Sequence, residues 1–188
     1  MEIAEIASQV IERIEGTGIP YMLVGALAAG TYGIPRATRD VDFLVPVATG
    51  GGVNAIIKAL SDIITFEEQA VFDTLTWGKR HVGKTIAPPP IKIEFFEIFD
   101  DPFVLREFER KQEIFIPILG RSGWVPSAED VIVQKLRWGR SKDLDDVTDI
   151  LAVQGADTLD MAYIENWCSI HETTGRLQAT LVRIPPDL

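Results

Sequence analysis

The chain has 188 residues, with 18 Lys and Arg against 28 Asp and Glu, a formal charge of −10, and 46% hydrophobic residues. These proportions fit one ordinary globular domain; they exclude a disordered or fibrous chain and argue against a protein that coats nucleic acid by bulk electrostatics. One cysteine, Cys168, permits no internal disulfide and, with only two histidines, no zinc site; no apolar run approaches the ~20 residues of a membrane span, so a soluble cytoplasmic protein is expected, with no membrane partner.

Residues 2–15 place Ile3, Ile6, Ala7, Val10, Ile11 and Ile14 at helical spacing with glutamates opposite, and Gly16 and Gly18 are expected to end that helix. The acidic start is unlike the basic-then-apolar pattern of a signal peptide. Tyr21 to Val24 reads as a short apolar strand that runs into Gly25 and a small-residue helix ending near Gly33. Asp40 to Val47 is β-rich and alternating, Thr49-Gly50-Gly51-Gly52 reads as a flexible loop, and a helix follows at about 53–60. Three strands are expected at Phe72 to Trp77, about 82–86, and Ile91 to Ile98. Phe103 to Lys111 reads as a short helix and Ile114 to Leu119 as a strand. After Gly120 the pattern turns helical: Ser127 is the N-cap of one helix, and 143–154 and 158–173 follow. The outline is a sheet-containing core over 1–120 and a C-terminal helical segment over 121–188 packing on it, together one α+β domain.

One nucleotide-binding pattern fails on context. Gly78-Lys79-Arg80-His81-Val82-Gly83-Lys84-Thr85 matches G-x4-G-K-T, whose chemistry needs a helix N-terminus directly behind the loop. Ile86-Ala87-Pro88-Pro89-Pro90 follows instead, and three prolines cannot sit inside a helix. A basic turn between strands is expected there, with Lys79, Arg80 and Lys84 as a local cationic patch.

A stronger signal lies at residues 24–45. Asp40 and Asp42 stand two apart in a strand, so their carboxylates share a face, and the apolar company of Phe43, Leu44 and Val45 marks that strand as buried. A free acid pair there would be costly, and Mg²⁺, which takes hard oxygen ligands, is the usual answer. Upstream, the strand–Gly25–helix unit offers backbone N–H groups and a helix dipole to an anion. Together they make a phosphate end and a metal end.

Gly25 followed by Asp40-Val41-Asp42 resembles the DNA polymerase beta-like nucleotidyltransferase superfamily. The wording Gly25-Ala26-Leu27-Ala28, Tyr32-Gly33, Pro35-Arg36, Thr38 and Arg39-Asp40-Val41-Asp42-Phe43 is similar to its minimal bacterial branch, which includes the AbiEii-type toxin nucleotidyltransferases. Trp138-Gly139-Arg140-Ser141-Lys142-Asp143-Leu144-Asp145-Asp146 extends the resemblance, which covers roughly residues 20–155. It implies a mixed twisted sheet flanked by helices, three carboxylates holding two Mg²⁺ ions, and transfer of a nucleoside monophosphate from an NTP to a hydroxyl acceptor. The third acid would be Glu94, where the family commonly has Asp; Glu97 has the other strand parity. Gly25 and Ala26 would receive the triphosphate, although many members carry Ser at the position of Ala26. Arg36 and Arg39 would either neutralise phosphate or pair with the acids beside them. Lys135 would reach the nucleotide, with Asp143 or Asp146 orienting it or an acceptor hydroxyl. The acceptor implied is tRNA, protein or a small hydroxylated molecule, and the toxin branch implies an antitoxin partner. The departures at Ala26 and Glu94 keep open a catalytically weakened nucleotide-binding or protein-interaction module. Trp124, Trp138 and Trp167 are expected in the core, and His171 in a structural or exposed position.

Overall fold

A helix opens the chain because one stripe of it is apolar: in α1 (Ile3–Thr17), Ile6, Ala7, Val10, Ile11 and Ile14 are all buried. Glu2 and Glu5 cap its start reciprocally, and Gly18, at φ 71°, ends it in the left-handed conformation. Gly16 stays inside the helix rather than stopping it. The structure, a computed structural model, describes residues 2–47, 52–73 and 78–184.

After α1 come β1 (Met22–Val24), α2 (Gly25–Tyr32), β2 (Asp40–Pro46), α3 (Gly52–Leu60), β3 (Ile64–Phe66), β4 (Val71–Asp73), β5 (Gly78–Thr85) and β6 (Lys92–Ile98). They form a twisted mixed sheet in the order β1-β2-β6-β5-β3, with β4 also paired to β5. Among the described pairs only β2 and β6 run parallel, and the others are antiparallel. The expected α+β fold is therefore present. The G-x4-G-K-T stretch is β5 itself, a strand along its whole length, with no helix behind it. The expected loop at 49–51 and strand residues 74–77 lie outside the described residues, and Gly52 begins α3.

Strand alternation sorts β2 into two faces. Val41, Phe43 and Val45 are fully buried on one side, where the Phe43 ring stacks on Phe95 at 5.3 Å and meets Tyr21 edge-on. Asp40 and Asp42 point to the other. α1 and α3 pack on each other and on β2.

The chain continues with α4 (Pro102–Glu109), β7 (Gln112–Ile116), β8 (Arg121–Val125), α5 (Ala128–Trp138), α6 (Ser141–Gln154), α7 (Met161–Ile170) and α8 (Thr174–Leu181). The expected strand Ile114 to Leu119 is shorter and shifted, because Pro117–Leu119 coils into a 3-10 turn closed by Gly120. β8, unforeseen, pairs back onto β7. The expected helix at 158–173 is the shorter α7, ended where Glu172 adopts φ 57° and the Thr173 N–H donates to the Cys168 carbonyl, and α8 follows beyond the expected range. Ser127 does cap α5, its hydroxyl accepting from the Asp130 N–H at 3.3 Å. Among the described residues, no helix is long and apolar enough to cross a membrane.

His171 follows α7, stacked on Trp167 and edge-on to Phe103, each at 5.4 Å. Burial, then the nearby Arg137 charge, push its pKa down to about 4. The folded state thus prefers the neutral ring, so this contribution is complete above pH ~6.5 and is lost as pH falls toward 4. His171→Phe, which keeps the stacking, is expected to lose about 2–4 °C less in Tm than the parent between pH 7 and 4.5, if solvent screening leaves ~1 kcal/mol. Equal losses in both proteins would contradict this.

Candidate active site

The parallel pairing of β2 with β6 builds the site. Its register sets Asp40 opposite Lys92 and Asp42 opposite Glu94, so residues two apart on each strand deliver four charged side chains to one face. Asp40, Asp42 and Glu94 each bring a carboxylate oxygen within 4.8 Å of the others. Over that face opens a cleft of about 140 Å³.

The β1–α2 junction forms one wall. Gly25 has φ +70°, and a Cβ built there would lie 2.2 Å from Asp42 Oδ2. The missing side chain is what lets the Asp42 carboxylate press against the start of α2. Asp42 Oδ1 is sealed from solvent with no hydrogen-bond partner among the described residues. Burial, then the charges of Asp40 and Glu94, push the Asp42 carboxyl up to about 7. Burial opposes ionisation of Asp40 too, but the Thr38 hydroxyl donating to it, with Lys92 and Lys142, holds it below the usual range. An orphaned carboxylate oxygen inside an all-oxygen acid cluster is the arrangement a hard divalent cation relieves, so the residues fit Mg²⁺ or Mn²⁺.

The other wall is the α5–α6 corner. Lys135, 6% exposed, donates to Asp143 Oδ1 at 3.2 Å and to Asp146 Oδ2 at 2.6 Å. Asp146 also takes Arg36 in a two-pronged pair, Nε at 2.7 Å and one terminal nitrogen at 3.0 Å. That pair raises the Arg36 pKa further and ties the loop after α2 to α6. Arg140 grips Asp143 in the same forked way and lies over the Trp138 ring at 4.4 Å. Gly25, Ala26, Arg36, Asp40, Asp42, Glu94, Lys135 and Asp143 all line the cleft. Asp146 does not; it supports Lys135 and Arg36 from behind. Arg39 is exposed and outside the lining, and contributes only its carbonyl, which accepts the Lys92 N–H. Glu97 turns to the opposite face and pairs with His81.

Asp146→Asn keeps the shape but withdraws the charge that two cations share. Breaking a buried pair from one side leaves the other charge uncompensated. The expected loss is about 3 kcal/mol, seen as a lower urea midpoint at unchanged slope. A midpoint equal to the parent's would mean Asp143 alone suffices for Lys135.

The cleft is also lined by Lys92, Arg80, Glu107 and Trp138, to which the sequence assigned no role in the site. Lys92 donates to Glu94 Oε2 at 2.5 Å, and Arg80 reaches Glu94 Oε1 at 3.3 Å. Arg80 comes from the misleading G-x4-G-K-T stretch: once β5 pairs with β6, strand parity turns it toward the acids, while Lys79 and Lys84 stay exposed. Glu107 is buried in α4, and burial first, then Asp130, drive its carboxyl well above the usual range. Trp138, expected in the core, is half-buried against it and lines the cleft, its ring nearly perpendicular to that of Phe96.

No family model and no curated protein matches the chain. Solved structures do. The antibiotic-resistance factor ANT(2'')-Ia in solution matches with a TM-score of 0.61 and 14% identity, over 94% of this chain and 95% of that one. ANT(2'')-Ia crystallised with adenylyl-2''-tobramycin gives 0.60 and 15%, over 91% and 97%. A Thermotoga maritima protein described as a nucleotidyltransferase gives 0.53 and 17%, over 75% and 87%. At these identities the likeness speaks for the architecture, and the fold of this chain is the one those nucleotidyltransferases share.

Proposed function

We propose that the chain is a Mg²⁺-dependent nucleotidyltransferase that moves a nucleoside monophosphate from an NTP to a hydroxyl acceptor. One observation carries it: the Asp42 carboxylate, its Oδ1 partnerless and its Oδ2 seated against Gly25, lies within ligand distance of Asp40 and Glu94. Asp40, Asp42 and Glu94 would hold the Mg²⁺, which when bound would offset charge on the phosphate oxygens and make the α-phosphorus more electrophilic. Gly25 and Ala26 present the N-terminal N–H groups of α2 to the triphosphate, with Arg36, Lys135 and Arg140 as counter-charges on the facing wall. The acceptor oxygen bonds the α-phosphorus, the bond to the bridging oxygen breaks, and pyrophosphate leaves. The hydroxyl proton passes to a carboxylate, for which Glu94 is the candidate.

The adenylyl-2''-tobramycin bound in a structural neighbour favours a small polyhydroxylated acceptor. The AbiEii-type branch, an RNA or protein acceptor and an antitoxin partner rest on the wording around Arg36 to Phe43 and Trp138 to Asp146. The engagement of both Glu94 oxygens by cations favours a second reading, a nucleotide-binding module of the same fold with weakened turnover.

The test is incubation with each α-labelled NTP and Mg²⁺, against cell extract in one arm and aminoglycosides in another, with Asp42→Asn as control. Label on RNA, protein or drug, absent in the control, supports transfer and names the acceptor. Nucleotide binding with neither label nor pyrophosphate release would leave the module reading in its place.

A further inference from the structure

A cation of this chain, Lys92, already occupies the flank of the acid cluster formed by Asp40 and Glu94. Lys92 and Glu94 are two apart on β6, and the register sets Lys92 directly across from Asp40, so strand geometry delivers the ammonium into the cluster. The backbone at Lys92 is pinned, its N–H donating to the Arg39 carbonyl at 3.1 Å. Its Nζ lies 2.5 Å from Glu94 Oε2 and 3.7 Å from Asp40 Oδ2. Arg80 holds the other Glu94 oxygen at 3.3 Å. Both Glu94 oxygens therefore face fixed cations, whereas Asp42 Oδ1 faces none.

Charge points the same way. In the nucleotide-free cluster, three carboxylates against the two cations Lys92 and Arg80 leave one net negative charge, which one dication overcompensates and two would turn strongly positive. A second dication between Asp40 and Glu94 would have to sit at contact distance from the Lys92 ammonium or expel it.

We propose that Lys92 stands in for one of the two metal ions, so that the chain holds a single divalent cation, on Asp42 and Asp40. This rests on the nucleotidyltransferase reading of the same site and deepens it: one ion binds, Lys92 and Arg80 fix Glu94, and the ammonium supplies the second positive charge beside the phosphates. Lys92 is here a positioning residue, and its effect is read in metal stoichiometry rather than in turnover alone.

The test counts bound Mn²⁺ by the loss of the free-ion paramagnetic resonance signal in the nucleotide-free protein. One ion per chain is expected for the parent and for Lys92→Arg, which keeps the charge. Lys92→Met is expected to take up two, or to bind the first at least tenfold more tightly; circular dichroism and Tm confirm that it folds, and the likewise uncharged Lys92→Gln serves if it does not. Two ions in the parent, one ion at unchanged affinity in Lys92→Met, or none in any of the three overturns the proposal. Calorimetric binding of α,β-methylene ATP, measured alongside, separates the two levels. Analogue bound with two Mn²⁺ in the parent sinks the Lys92 proposal and spares the nucleotidyltransferase reading; no analogue and no Mn²⁺ sinks both.

Discussion

Asp42→Asn is expected to lower nucleotidyl transfer by at least about 10³-fold while raising the Tm of the metal-free protein at pH 8. Both effects come from one carboxylate. Its Oδ1 is sealed off without a partner, and burial with the charges of Asp40 and Glu94 pushes its pKa up to about 7. In the unfolded chain the same group ionises near 4. Below pH 4 both states hold the proton and the group is neutral to stability. Between pH 4 and 7 the unfolded state releases it while the folded state does not, so stability falls as pH rises, by at most about 1.4 kcal/mol per unit. Above 7 the folded protein carries the full cost of a buried charge unless a cation relieves it. Asparagine, nearly isosteric, removes the charge and the donor oxygen together. The gain in Tm should therefore be large at pH 8, vanish at pH 4, and shrink when Mg²⁺ is added, because only the parent is stabilised by the ion. Thermal melts at the two pH values, with and without Mg²⁺, check each limb. A variant less stable than the parent at pH 8 without metal would mean that the carboxylate is better satisfied than its surroundings indicate.

Much of the site could be read from residue order because strand parity is local information. Asp40 and Asp42 share a face by being two apart, and Glu94 rather than Glu97 faces them for the same reason, with Glu97 turned to His81 instead. Ser127 as a cap and Gly25 as the hinge into α2 are also short-range signals. What escaped depends on long-range pairing. Arg36 meets Asp146 across 110 residues, and nothing near either marks the other as its partner. Arg80 reaches Glu94 only because β5 and β6 pair in one particular register, and a shift by one residue would turn it to the far face. Lys92 was readable in principle, since it shares parity with Glu94, but a lysine beside an acid on a strand carries no signal until the strand across from it is known. The fold shows the same division. Helices with a full apolar stripe were placed within a few residues, whereas β3, three residues long, and β8, flanked by glycine and proline, offer too little periodicity to register. The break between α7 and α8 rests on the left-handed backbone of Glu172, a residue type that rarely takes it.

Gly25→Ala is expected to cost about 2–4 kcal/mol of stability and to cut transfer by on the order of 10²–10³-fold. Two penalties add. An L-residue at φ +70° costs about 1–2 kcal/mol by itself. The new Cβ also lies 2.2 Å from Asp42 Oδ2, and still only 3.1 Å from its Cγ and 3.2 Å from its Cβ, so rotating the carboxylate does not clear the overlap and the whole side chain must move. A carboxylate displaced by about 1 Å no longer shares a cation with Asp40, which is why activity should fall further than stability does. Gly18 supplies an internal control, for it has φ +71° with nothing within 4 Å of its would-be Cβ. Gly18→Ala should show the backbone cost alone and leave transfer unchanged. A double-mutant cycle isolates the carboxylate: in an Asp42→Ala background only the 3.2 Å approach to the residue-42 Cβ is left, and Gly25→Ala should then cost little more than Gly18→Ala. If Gly25→Ala were as mild as Gly18→Ala with Asp42 in place, and as active as the parent, the contact between the α2 N-terminus and the Asp42 carboxylate would not be what sets the geometry of the acid cluster. If instead the cost persists without the Asp42 carboxylate, it belongs to the β1–α2 turn itself. The excess over Gly18, removed when Asp42 is truncated, is the part of the stability cost that ties the β1–α2 turn to the acid cluster.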